Sequence, residues 1–277
     1  MNKTLLVLID GLRGDAIEKA HAPTLDYLIG EGSSSLKVKT VLPSLTLPSH
    51  FSIFTSLDPY SHGVLTNTSL PDTSSLGQSL FCHVKAHSGT VSSFYSWEKI
   101  RNLAMPGTLD HSFFHRLNKE KDLILLAGAA SSHILTRNPD FAFIYFEWTD
   151  MIGHRFGWMS PEYIKAIELT DRALGLMVES IHSTGRQGGY HLIVLSDHGG
   201  KGKHHMENTP QITQVPFIAW GHDIRTNYRI VDDIHLLDIA PTISGIMDIP
   251  PHFAWQGKQI PRIILKSPRH KPLARVA

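Results

Sequence analysis

The chain has 277 residues, 42% of them hydrophobic and 18% charged, with a formal net charge of +1. That balance describes an ordinary globular chain, with room for one large α/β domain or two small ones. The near-zero charge gives no electrostatic reason to expect a nucleic-acid polymer or an acidic membrane surface as a partner, and no apolar run is long enough to cross a bilayer.

Residues 4–9 are a continuous apolar run, as expected of a strand buried on both faces of a parallel sheet, and a turn from Asp10 to Asp15 follows. Residues 22–29 read as a short amphipathic helix with Pro23 near its start, stopped by Gly30-Glu31-Gly32. A strand over 36–42 leads to a helix that begins near Thr46, which is placed to act as N-cap, with Pro48 in the first turn. The segment 58–64 reads as a loop, 75–86 as a helix, 89–95 as a strand and 122–135 as a helix. A buried strand over 141–148 ends at Thr149-Asp150, and Pro161 opens a long helix to about Ser183, with 185–189 as its exit loop. Strands over 190–195 and 214–220 and a helix over 234–247 complete the pattern. The alternation predicts an α/β fold, a doubly wound and mostly parallel central sheet with helices on both faces. The basic cluster Lys266, Arg269, His270, Lys271 and Arg275 reads as a solvated tail.

Three predicted strands end in acidic residues, Asp10, Asp150 and Asp197, and Thr46 follows a fourth. Ligands of open α/β sheets bind beyond the carboxyl ends of the strands, so these side chains are expected to meet at one edge. Three unpaired carboxylates in one crevice would repel and be driven toward protonation; a divalent cation removes the conflict. His154 lies four residues after Asp150, His198 follows Asp197, and His204-His205 come soon after. Oxygen and imidazole ligands without cysteine suit Zn²⁺ or Mn²⁺, and there are enough of them for two metals. A hydroxyl at the start of a helix, Thr46, is well placed beside a bound phosphate.

These stretches resemble the alkaline phosphatase superfamily, and within it the type I phosphodiesterase/nucleotide pyrophosphatase branch. The resemblance rests on Asp10-Gly11, Thr46-Leu47-Pro48-Ser49-His50, His62-Gly63, Asp150-Met151-Ile152-Gly153-His154, Asp197-His198-Gly199, His205, and Asp238 with Gly257, in the family's order. It implies an alkaline phosphatase-like catalytic domain over 1–277, with a small substrate-facing insert around 62–140. It also implies a phosphoric ester hydrolase, cleaving phosphodiester or nucleotide pyrophosphate bonds by double displacement with Thr46 as nucleophile. One metal would be held by Asp10, Thr46, Asp197 and His198, and the other by Asp150, His154 and one of the adjacent histidines. Spacing to Pro210 and Pro216 favours His205, whereas counting from Asn208 and Phe217 favours His204; His205 is adopted. Gly11 and Ser49 are expected to contact phosphate oxygens, Ser49 standing where many relatives carry Asn. Phe94, Tyr95 and Trp97 are either an aromatic platform for a nucleobase or core packing.

The expected substrate is a small phosphate ester or nucleotide. Alternatives are a phosphomonoesterase, phosphonate hydrolase or sulfatase of the same superfamily, or a metal-binding protein without turnover. The family's sulfatases use a modified Cys or Ser, which Thr46 disfavours. The single cysteine, Cys82, excludes an internal disulfide, and the short N-terminal apolar run lacks a cleavage site, so the chain is expected to be cytoplasmic. The oligomeric state is open.

Overall fold

A computed structural model describes residues 1–69, 73–183 and 189–265. The basic tail from Lys266 onward and residues 185–188 of the expected exit loop lie outside the described residues. Eight strands form one sheet: β1 (Lys3–Ile9), β2 (Ser33–Lys39), β3 (Val91–Tyr95), β4 (His111–Phe114), β5 (Phe141–Phe146), β6 (Tyr190–Leu195), β7 (Gln214–Trp220) and β8 (Tyr228–Arg229). Their order is β4-β3-β5-β1-β6-β7-β2-β8. All pairs are parallel except those of β7, which runs antiparallel to both β6 and β2.

Side chains of β1 alternate between two hydrophobic layers, which is what a strand period of two requires. Leu6 and Leu8 join Phe51, Phe54, Phe81 and Ile243 on one face. Leu5, Val7 and Ile9 join Leu25, Leu126 and Leu174 on the other. Helices therefore cover both faces, Thr46–Thr55, Leu80–Ala86 and Ile239–Ile246 on the first and Pro23–Gly30, Glu120–Arg137 and Pro161–Ser183 on the second. Among the described residues no helix is long and apolar enough to cross a membrane.

The doubly wound sheet is as expected, with local corrections. The run 36–42 pairs only over Ser33–Lys39, so β2 ends seven residues before Thr46 rather than at its doorstep. Thr46 is the first helical residue and Leu45 holds the cap position without a side-chain bond, so the expected threonine cap is absent. The predicted helix over 75–86 is two, because Ser79 accepts from the Cys82 amide and caps a new start at Leu80. The loop at 58–64 contains a short helical turn, Pro59–His62, capped by Asp58. The strand expected to run to Trp148 stops at Phe146, and Asp150 lies in the first turn of a helix, Trp148–Phe156. The helix expected over 234–247 begins as a 3-10 turn, Leu236–Asp238, before Ile239–Ile246. The edge strands β4 and β8 were not foreseen.

The arrangement positions the site. In the order β5-β1-β6 three parallel strands lie side by side, with Ile9 beside Phe146 and Leu8 beside Leu195. Their carboxyl ends deliver Asp10, the Asp150 helix and Asp197 to one edge.

Candidate functional site

Asp10 and Asp197 are each held by one oxygen and leave the other bare. Asp10 is 1% exposed; its Oδ2 accepts from the Tyr145 hydroxyl, and its backbone carbonyl accepts from Thr149 Oγ1. Asp197 is fully buried; its Oδ1 accepts from the amides of Gly11 (3.2 Å) and His198 (3.0 Å), and its carbonyl accepts from Thr40 Oγ1. Asp10 Oδ1, Asp150 Oδ1 and Asp197 Oδ2 have no hydrogen-bond partner. An orphaned buried carboxylate oxygen is costly unless something cationic meets it.

The imidazoles supply the complementary half. Nδ1 of His198 lies 2.9 Å from the Gly199 carbonyl, Nδ1 of His205 2.6 Å from that of Ser44, and Nδ1 of His154 2.9 Å from that of Lys203. A carbonyl only accepts, so each Nδ1 carries the proton and each Nε2 presents a lone pair. Those lone pairs face carboxylate oxygens. His198 Nε2 is 3.4 Å from Asp10 Oδ1 and 3.5 Å from Asp197 Oδ2, and His154 Nε2 is 3.5 Å from Asp150 Oδ2. His205 Nε2 lies 4.0 Å from Asp150 Oδ1, and its ring stacks on His198 with centroids 3.8 Å apart.

Burial pushes the His198 and His205 imidazoles down to about 3, so the contacts of these two rings are not ion pairs. It pushes the Asp197 carboxyl up to about 8, while Asp10 and Asp150 are raised well above the carboxylate range by burial and then by neighbouring carboxylates. Neutral nitrogens with bare lone pairs, aimed at carboxylates that cannot hold their charge unaided, are a donor set for cations. Two sets of ligand atoms each fall within 4.8 Å, Asp10–Asp197–His198 and Asp150–His198–His205. The two sets share His198, and His154 Nε2 adds a further donor 3.5 Å from Asp150 Oδ2, so the residues fit divalent cations at this edge.

Of the expected site residues, the structure brings Asp10, Thr46, Asp150, His154, Asp197, His198 and His205 together. His204 points elsewhere, half-exposed and 3.7 Å from Glu207. His205→Ala is therefore expected to lower bound metal and turnover at least tenfold more than His204→Ala. Metal analysis and rates on the two variants check this, and equal effects would overturn the assignment.

Gly11 and Ser49, expected to contact phosphate oxygens, both have partners within the protein. The Gly11 amide is engaged by Asp197, and its carbonyl accepts from Trp158 Nε1 (2.8 Å) and the Tyr163 hydroxyl (2.7 Å). Its φ of +66°, with Asp150 Cα only 3.1 Å from where a Cβ would stand, requires glycine there. Ser49 is fully buried, its hydroxyl 3.3 Å from Thr40 Oγ1. Phe94 and Tyr95 are core residues, whereas Trp97 reaches the cleft.

A cleft of about 200 Å³ opens over the metal-ligand edge, lined by Asp10, Thr46, Asp150, His154 and His205 with Trp97. Three further lining residues, Asn67, Tyr145 and Glu147, escaped the sequence reading. Asn67 Oδ1 accepts from the Leu47 amide at 2.9 Å, capping the first turn that Thr46 does not cap and leaving its NH₂ as the free donor end. Burial raises the Glu147 carboxyl to about 7, against the pull of Arg116. A buried Tyr at a strand end needs a partner for its hydroxyl, the one local signal that could have found Tyr145.

The chain is similar to known phosphoesterases over most of its length. The family model for type I phosphodiesterase/nucleotide pyrophosphatase matches residues 4–83 and 81–214. Venom phosphodiesterase CdcPDE of Crotalus durissus collilineatus is 26% identical over 221 residues, covering 70% of this chain and 26% of that protein. Ectonucleotide pyrophosphatase/phosphodiesterase family member 1 of Mus musculus is 27% identical over 219 residues, covering 71% and 24%. The chain thus spans about a quarter of the length of these curated relatives. Among solved structures, inactive murine ectonucleotide pyrophosphatase/phosphodiesterase 5 in complex with AMP superposes with a TM-score of 0.77 at 15% identity, covering 91% of this chain and 96% of that one. Phosphonate monoester hydrolase from Silicibacter pomeroyi has the same fold, with a TM-score of 0.74 at 13% identity over 94% and 76% of the two chains. With the ligand cluster at the sheet edge and a family match running from β1 into β7, the chain belongs to the type I phosphodiesterase/nucleotide pyrophosphatase family.

Proposed function

We propose that this chain hydrolyses phosphodiester or nucleotide pyrophosphate bonds, with Thr46 as nucleophile and two divalent cations, zinc before manganese. The observation that carries the reading is the pair of bare ligand sets beside Thr46, which is 5% exposed and opens the Thr46–Thr55 helix at the cleft. Asp10, Asp197, His198 and Thr46 would hold one cation, and Asp150, His154 and His205 the other. When bound, such a pair supplies charge neutralisation at phosphorus and a lowered hydroxyl pKa.

The Thr46 oxygen attacks phosphorus in line, the bond to the leaving oxygen breaks, and the departing alkoxide takes up a proton. Water then attacks the phosphothreonine, the phosphorus–Thr46 bond breaks, and the threonine hydroxyl is restored. Asn67 Nδ2 and the positive end of the Thr46–Thr55 helix are placed to steady the phosphate oxygens. Residues 62–140 contribute Asn67 and Trp97 to the cleft, which supports one catalytic domain with a substrate-facing segment there.

A diester is preferred over a monoester. A dianionic monoester calls for a cation besides the metals, and among the described residues no Lys or Arg lines the cleft, while Glu147 adds a carboxyl. Arg13 is engaged with Asp15 at 2.5 Å and with the Gly200 carbonyl at 3.1 Å, and Lys201 with Glu207 at 3.1 Å. The expected result is a higher kcat/KM for bis-p-nitrophenyl phosphate than for p-nitrophenyl phosphate, with metal saturating. A tenfold advantage for the monoester, about 1.4 kcal/mol in the transition state, would make the protein a phosphatase instead.

A further inference from the structure

The antiparallel course of β7 also builds a cluster at the opposite edge of the sheet. His191 is the second residue of β6, beside Thr4 of β1. β7 places Trp220 opposite Leu192, so the next residues, Gly221, His222 and Asp223, close over His191. A Cβ at Gly221 would overlap the His191 ring, so glycine admits the approach. His191 is fully buried and its Nε2 contacts Asp223 Oδ1 directly. The His222 ring lies 4.8 Å from the His191 ring, and its Nε2 is 3.9 Å from Asp223 Oδ2. One ligand atom from each of the three residues falls within a 4.8 Å group.

His191 Nδ1 lies 3.4 Å from the Lys3 carbonyl, which can only accept, at the long end of a hydrogen bond. What joins Nε2 to the carboxylate oxygen is either a hydrogen on the ring or a metal ion. A proton shared between His191 and Asp223 has no use for a second imidazole. A metal does, and a backbone carbonyl behind the first histidine is the usual outer support of a metal-bound imidazole. His222 is 37% exposed, which leaves a side open for water as a further ligand.

We propose that His191, His222 and Asp223 form a second metal site, separate from the catalytic cleft, for a divalent ion of the zinc class. Two imidazoles and a carboxylate suit that class better than calcium or magnesium. The six residue steps from His191 along β6 to Asp197 put the site roughly 20 Å from the cleft. Its role is structural: it ties the start of β6 to the segment that leaves β7, over the first residues of β1.

The test is a zinc count. Wild type, His222→Ala and Asp223→Ala are stripped with chelator, reloaded with zinc, desalted and analysed for zinc per chain. Each variant is expected to hold one equivalent less than wild type and to keep wild-type hydrolysis at saturating zinc. If either variant holds as much zinc as wild type, the cluster is a hydrogen-bonded histidine–carboxylate pair and the proposal is overturned. The comparison does not depend on the cleft, because failure of the two-metal reading there would lower all three counts equally and leave the difference intact.

Discussion

Thr46→Ala is expected to lower turnover by about a thousandfold or more, roughly 4 kcal/mol of barrier, while the protein stays folded. The oxygen that would form the bond to phosphorus is gone, and neither Asn67 nor the helix terminus can replace a nucleophile. The structure also separates this loss from unfolding. A capping threonine would cost about 1 kcal/mol on removal, but the Thr46 side chain is not the cap, and Asn67 Oδ1 already satisfies the Leu47 amide. Thr46→Ala is thus expected to melt within a few degrees of wild type, and Thr46→Ser to keep measurable activity because it keeps the oxygen. The checks are rate measurements with a chromogenic diester beside a thermal melt. Retention of more than about a tenth of the wild-type rate, a loss below about 1.4 kcal/mol, would remove Thr46 from the role.

The parts of this site that were legible in the sequence share one property: their meaning is local. The run 5–9 is apolar at every position because β1 is buried on both faces, and Asp10 follows at the strand end where ligands bind. β6 with Asp197-His198 reads in the same way. Legibility fails where the deciding partner is distant in sequence. The direction of β7 leaves no mark on a strand that is apolar throughout after Gln214. The run 141–148 is apolar but for Glu147, and one charged residue did not show that the strand gives way there to the helix bearing Asp150. Asn67 is an unremarkable polar residue until the fold sets it against the Leu47 amide. Ser49 stands one helical turn after the expected nucleophile, yet its hydroxyl pairs with Thr40, a partner that the local sequence does not reveal. Choosing between His204 and His205 required knowing which ring meets His198.

Removing the metals is expected to abolish activity and to invert the protein's response to pH. Without cations Asp10, Asp150 and Asp197 have raised pKa values, chiefly through burial, with Asp197 up to about 8. A carboxyl whose folded pKa exceeds its unfolded value binds protons on folding. Its protonated form therefore supports the fold at low pH, and that support is lost as pH rises from the unfolded value through the folded one. For Asp197 the window runs from 3.8 to about 8, and its span is worth on the order of 5 kcal/mol. Chelator-treated protein is accordingly expected to lose stability steadily between about pH 4 and pH 8. Zinc reverses the trend, because ligands must be deprotonated to bind it and apparent affinity rises with pH. The stabilisation gained from zinc should then be small at pH 5 and large at pH 8, where melts with and without metal diverge most. Readdition of zinc should restore turnover together with the melting temperature. Activity untouched by EDTA, or a zinc-dependent gain in stability that is the same at pH 5 and pH 8, would contradict a site built from these three carboxylates.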